Sequence, residues 1–146
     1  MSRRVAVPAG GWREIAVLRL SSLGDAVLAL PVVHALRRAY PEAKLHVWVK
    51  EEFGEVFSHD TAVDHVRALE KDARKIEDLV SMSAELESCD LIVDLHGSLR
   101  TRVLTARQSA VVLRLRGERL TRARWVHAMH TITPPLGRMR PRQVGQ

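Results

Sequence analysis

Cysteine is nearly missing from this chain. A single Cys89 excludes an internal disulfide and any metal site built on cysteine ligands, and its place just before an apolar run suits a small core filler. Long apolar runs are missing too. No stretch approaches the roughly 20 residues of a membrane-spanning helix, and residues 1–12 lack the apolar segment of a signal peptide, so a cytoplasmic location is expected. Three fingerprints are absent as well: the Gly-x-Gly-x-x-Gly turn, the phosphate-binding loop ending in Gly-Lys-Ser/Thr, and the Gly-x-Ser-x-Gly elbow. Their absence argues against a dinucleotide oxidoreductase, a P-loop nucleotidase and a serine hydrolase. The histidines show no metal-ligand spacing. His127 and His130, three apart, have no carboxylate or cysteine nearby to complete a site, so no metal is expected. Aromatic residues make up only 4%, and Trp125 alone stands among the late arginines, which weakens a base-stacking role.

What is present fits one soluble α/β domain. A length of 146 residues matches a single domain, and 46% hydrophobic content is ordinary for a compact core. The net charge of +6 is concentrated late, in Arg114, Arg116, Arg119, Arg122, Arg124, Arg138, Arg140 and Arg142, opposed there only by Glu118. Phosphorylated sugars, acidic lipid headgroups and nucleic acid would all suit that field, and so would plain solvent. An alternative to any enzyme is therefore a basic binding module for acidic lipid surfaces or nucleic acid, acting without catalysis.

Extended and helical patterns alternate along the chain. Residues 15–20, 44–49, 65–69, 91–95 and 110–115 read as strands, being short β-branched or leucine-rich runs between turn or charged residues. Between them, residues 26–39 place Val27, Leu30, Val33 and Leu36, with Leu28, Val32 and Ala35 beside them, on one broad helical face. Pro31 should kink that helix or end its first turn. Residues 74–87, 99–108 and 120–129 read as further helices. Such alternation argues for a parallel sheet covered by helices. Residues 1–13 read as a flexible leader, 14–130 as the domain, and the Pro- and Gly-punctuated 131–146 as a linker or disordered tail.

One turn carries most of the chemistry. The run Arg19-Leu20-Ser21-Ser22-Leu23-Gly24-Asp25 leaves the first strand and enters the first helix, and ligands of open α/β sheets collect beyond the carboxyl ends of the strands. Asp25 could take a proton from a hydroxyl as a general base, or it could simply cap the helix. Gly24 would let the backbone bend or approach a ligand, and Ser21, Ser22 and the free amides could bind anionic oxygens. A second cluster, Asp94, His96, Gly97, Ser98, Arg100 and Arg102, follows the strand at 91–95 and should open on the same crevice. Its arginines suit a carboxylate or phosphate, and His96 could donate to a ligand oxygen.

The turn Ser21-Ser22-Leu23-Gly24-Asp25 with Leu30-Pro31 after it, the segment Ala35-Leu36-Arg37-Arg38-Ala39-Tyr40-Pro41, residues 45–49 followed by Glu51-Glu52-Phe53, and the run Asp90-Leu91-Ile92-Val93-Asp94-Leu95-His96-Gly97-Ser98-Leu99-Arg100 occur in the order found in one glycosyltransferase family. The chain resembles the N-terminal domain of glycosyltransferase family 9, the family of the lipopolysaccharide heptosyltransferases. The resemblance implies a Rossmann-like parallel sheet with flanking helices, like the N-terminal half of a GT-B glycosyltransferase. It implies Asp25 as the general base, and Ser21, Ser22, Gly24, His96, Gly97, Ser98, Arg100 and Arg119 as substrate-binding residues, with Arg122 near Arg119. The implied acceptor is a lipid A/Kdo-type saccharide of the inner core, and the implied donor is ADP-heptose. No other cofactor is expected. Donor binding would need a C-terminal domain that this chain does not match, so a truncated, singly inactive protein is expected. Peripheral contact with the inner face of the cytoplasmic membrane is a further expectation.

Overall fold

In a computed structural model, residues 5–20, 22–69 and 76–114 are described. The first strand, β1 (Glu14–Leu18), leads through a short turn into α1 (Leu23–Ala39). Then follow β2 (Lys44–Lys50), a single 3-10 turn (Glu51–Phe53), α2 (Glu55–Ser58), β3 (His65–Leu69), α3 (Ile76–Leu86), β4 (Leu91–Asp94), α4 (Leu99–Thr105) and β5 (Val111–Arg114). The five strands form one sheet in the order β3-β2-β1-β4-β5. Every pairing is parallel, with Ile15 opposite both Leu45 and Leu91. The expected Rossmann-like α/β fold is therefore present.

Both faces of the sheet are covered, which is why its central strands read as unbroken apolar runs. On one face Ile15, Val17, Leu45, Val47, Leu91 and Val93 meet α1 and the buried Phe57 of α2. On the other, Ala16, Leu18, Trp48 and Ile92 meet Met82 and Leu86 of α3 and Leu104 of α4, with Cys89 among them. Burial raises the thiol of Cys89 to about 11, so it is a core group rather than a reactive one.

Two features of α1 depart from the pattern-based expectation. The buried face is Ala26, Ala29, Val32, Val33, Ala35 and Leu36, whereas Val27 and Leu28 are about half exposed. Small alanines let the first two turns lie close against the sheet, so the expected face holds at Leu30, Val32, Val33, Ala35 and Leu36 and fails only at Val27 and Leu28. Of the two outcomes expected of Pro31, an end to the first turn does not occur, since α1 runs on to Ala39. Pro31 is exposed, and the carbonyl it leaves without a donor belongs to another exposed residue, Val27, where water can reach it.

Polar side chains tie the amino-terminal end of the sheet. Arg37, late in α1, donates to the carbonyls of Pro41 at 2.8 Å, Ala43 at 2.7 Å and Ala62 at 3.1 Å, and pairs with Asp64 at 2.5 Å. Asp64 in turn accepts the amide of Leu45. On the other side, the carboxylate of Asp90 accepts the amides of Arg13 and Glu14. Within the expected leader, Trp12 is buried and Val5 packs on the α1 face. The helix expected at 120–129 and the tail at 131–146 lie outside the described residues. Among the described residues, no helix is long and apolar enough to cross a membrane.

Replacing Arg37 by alanine removes one charged donor from three carbonyls and a carboxylate. Stability should fall by about 2–3 kcal/mol, measured by urea unfolding, given about 1.5–3 kcal/mol for hydrogen bonds to charged groups. A loss below about 0.5 kcal/mol would show that the hub carries no weight.

Candidate functional site

The chain leaves β1 toward β2 on one side and returns through α3 to β4 on the other, so the strand order reverses between β1 and β4. Side chains from the loops after those two strands therefore meet over one crevice at the carboxyl edge. Asp25 and His96 stand there, as the motif spacing predicts. Ser21 is outside the described residues, and so are Arg119 and Arg122.

Ser22 ends the turn and caps α1, its Oγ accepting the amide of Asp25 at 3.3 Å. The same hydroxyl donates to Asp25 Oδ2 at 2.6 Å. The tight bend falls on Ser22 itself, at φ 56° and ψ 140°, a region costly for a residue with a β-carbon, by about 1–3 kcal/mol. The expectation that Gly24 supplies the bend is therefore corrected. Gly24 sits inside the first helical turn without positive φ, and a β-carbon added there would meet nothing within 4 Å. What the glycine leaves is open space beside Asp25.

Arg19 is the residue that the motif reading missed. It follows β1, is buried at 7% exposure, and reaches both loops at once. Its Nη2 pairs with Asp25 Oδ2 at 2.5 Å, and its Nη1 donates to the carbonyl of Leu95 in the loop after β4. A signal was available: an arginine inside an apolar strand run needs an acceptor, and the nearest acid on its C-terminal side is Asp25.

The hydrogen bond from Ser22 holds the Asp25 carboxyl below the usual range against the opposing effect of partial burial, and Arg19 lowers it further. Asp25 is thus ionised at neutral pH. Both contacts use Oδ2, and among the described residues Oδ1 is left open. His96 has the opposite character. Burial and the charge of Arg19 depress its proton affinity, outweighing Asp94 and Asp25, so its imidazole is neutral near pH 7.

The second cluster divides between framework and crevice. Asp94 is wholly buried and shapes the loop, its Oδ1 accepting the amides of His96 at 3.1 Å and Gly97 at 2.8 Å. Its Oδ2 accepts Arg114 Nε at 2.7 Å from the end of β5. Gly97 turns the chain at φ 63°, and Ser98 caps α4 by accepting the amide of Thr101. Asp94, Gly97 and Ser98 thus hold the loop in shape. Arg102 is exposed on α4, while Arg100 keeps Nη2 shielded from solvent with no hydrogen-bond partner among the described residues. Elsewhere His34 pairs with Asp60, and His46 pairs with Glu14 and stacks on His65. Among the described residues, no group of three or more metal-ligating side chains could hold an ion.

No family model matches the chain. Among curated proteins, lipopolysaccharide heptosyltransferase 1 of Campylobacter coli is 26% identical over 94 residues, which is 63% of this chain and 28% of that protein. Among solved structures, a family 9 glycosyl transferase from Veillonella parvula aligns with a TM-score of 0.69 at 22% identity, over 82% of this chain and 41% of that one. The chain resembles the family 9 glycosyltransferases. The E. coli heptosyltransferase WaaC with ADP aligns with a TM-score of 0.57 at 22% identity, over 70% of this chain and 34% of that one. The chain therefore spans less than half the length of each family 9-like protein it matches here, and shares with them the GT-B type of Rossmann-like fold.

Two measurements check this geometry. In an NMR pH titration the His96 ring should show a midpoint below its ordinary 6.5. Because the unfolded chain then binds that proton more readily, stability should decline as pH falls below 6.5, and again as acid protonates Asp25, whose contribution is present above its ordinary 3.8. A His96 midpoint above 6.5 would contradict the buried placement. Gly24→Ala should raise stability by about 0.5–1 kcal/mol, since alanine is the better helix former and the space is open; destabilisation would mean that the space is not.

Proposed function

We propose that this chain is the acceptor-side half of an inverting glycosyltransferase, moving heptose from ADP-heptose to a Kdo-containing inner-core saccharide. One observation carries the reading. An ionised carboxylate, fixed by one oxygen and with the other unbonded among the described residues, stands at the strand-order reversal next to the exposed Gly24. The heptosyltransferase likeness supplies the reaction class, and the crevice supplies a group suited to it.

In that reaction an acceptor hydroxyl attacks the anomeric carbon of the donor. The new carbon–oxygen bond forms as the bond to the diphosphate breaks, ADP leaves with the electron pair, and the hydroxyl proton passes to Asp25 Oδ1. A carboxylate that is already ionised is in the right state at the start, and its basicity matters most when the attacking oxygen has become acidic. His96, neutral, can donate one hydrogen bond to an acceptor oxygen. Arg100 and Lys50, from α4 and the end of β2, provide positive charge for an acidic sugar. Donor-side groups are assigned to the part of the heptosyltransferases that lies outside the stretch matched here.

The test joins this chain to the second half of a complete heptosyltransferase. Asp25→Asn should lower turnover at least about a hundredfold, the usual range for loss of a general base, with acceptor affinity changed less than about tenfold. Turnover near that of the unsubstituted protein would discard the base assignment.

A further inference from the structure

Arg19 is an uneconomical residue if stability is its only purpose. It stands just past the end of β1 in a nearly solvent-free position, and its Nε has no hydrogen-bond partner among the described residues. A buried ion pair often contributes no more than well-packed apolar side chains of similar volume, and an unpaired buried donor subtracts from it. Leucine or methionine would suit the same strand end. The guanidinium does something that neither could. Its fork reaches two acceptors in two different loops, Asp25 Oδ2 after β1 and the Leu95 carbonyl after β4.

We propose that Arg19 is a positioning residue for the crevice, one that fixes the Asp25 carboxylate by Oδ2, directs Oδ1 to the ligand, and locks the His96 loop at a set distance from it. The role rests on the reading of Asp25 as the base. Lysine at this position could keep the charge but not both contacts, because a single ammonium on a flexible stem does not present the planar fork. The Ser22 hydroxyl completes the arrangement by donating to the same oxygen. With Oδ2 held from two sides, the carboxylate cannot rotate to present it, and Oδ1 is the oxygen left for a proton. The other charged and titratable groups acting on this end of the crevice are His96, Asp94 and Lys50.

The test needs no sugar and uses the 146-residue chain. The carboxyl carbon of Asp25 is followed by NMR through an acid titration, its signal assigned by its absence from Asp25→Asn. Arg19→Gln should make Asp25 bind its proton about tenfold more tightly, a rise of about one pH unit, and should shift the Leu95 and His96 amides; Arg19→Lys should restore part of the titration but not the amide shifts. A native-like amide spectrum with an unmoved Asp25 midpoint would overturn the assignment. Should Arg19→Gln fail to fold, Asp25→Asn in the otherwise native chain gives the second reading: the Arg19 Nη protons should exchange with water at least about tenfold faster, and an unchanged rate overturns the proposal. The two hypotheses fail separately. Undiminished transfer by Asp25→Asn would remove the base while the titration stands, and an unmoved titration would remove Arg19 while the base stands.

Discussion

Parallel pairing of β1 with both β2 and β4 is the constraint on which the rest of the molecule depends. A strand paired in parallel on both edges cannot be joined to either neighbour by a hairpin, so each connection must cross a face of the sheet. α1 covers one face on the way to β2, and α3 covers the other on the way to β4. The loops that leave β1 and β4 are thereby the two that diverge at the carboxyl edge, and a crevice opens between them. Nothing about Asp25 or His96 needs to bring them together beyond their place just after those strands.

Two ion pairs occupy that edge and differ in what they leave available. Asp94 is fully enclosed, with one oxygen taken by two loop amides and the other by Arg114, so its charge is used up in fixing the loop and the end of β5. Asp25 is about one-third exposed, and both of its contacts fall on one oxygen. Both are carboxylates paired with arginine. The first has both oxygens engaged, whereas the second keeps one oxygen unbonded among the described residues. Accessibility, not charge, separates the framework acid from the candidate catalyst.

Much of this was legible in the sequence, for reasons that can be stated residue by residue. Strand β3 falls at 65–69 as its pattern predicts, and the strand ends elsewhere shift by one or two residues in either direction, since sheet pairing takes in the polar Glu14 and Lys50 at ends that an apolar pattern does not mark. The turn from β1 into α1 was legible because small polar residues between a strand and a helix have few other uses. At the start of α1 the buried face was misjudged, with Val27 and Leu28 expected inside where Ala26 and Ala29 are, because alanine carries little hydrophobic signal although close packing prefers it. Arg19 was passed over because a single arginine looks like an exposed strand end, although its place between Leu18 and Leu20 marks it as a side chain in need of an acceptor. The strain at Ser22 was assigned to its glycine neighbour for a similar reason: composition shows which residue bends easily, and the structure shows which residue is bent.

The competing view of Asp25, as a residue kept only to cap a helix, can be weighed on the same contacts. The cap is Ser22, whose oxygen receives the amide of Asp25. An acid at this third helical position could complete a capping box by reaching back to the amide of the cap residue, and no such bond forms among the described residues. Its carboxylate turns instead toward Arg19 and the Ser22 hydroxyl. What remains for a purely structural role is attraction to the positive end of the helix, about 0.3–1 kcal/mol for a surface acid. That gain is no larger than the backbone strain accepted at Ser22 and comes with a buried arginine that lacks a full set of partners. A turn selected for stability would use a glycine at Ser22 and an apolar side chain at Arg19. Local rules broken together around one half-open carboxylate are the pattern expected of a site shaped for a ligand.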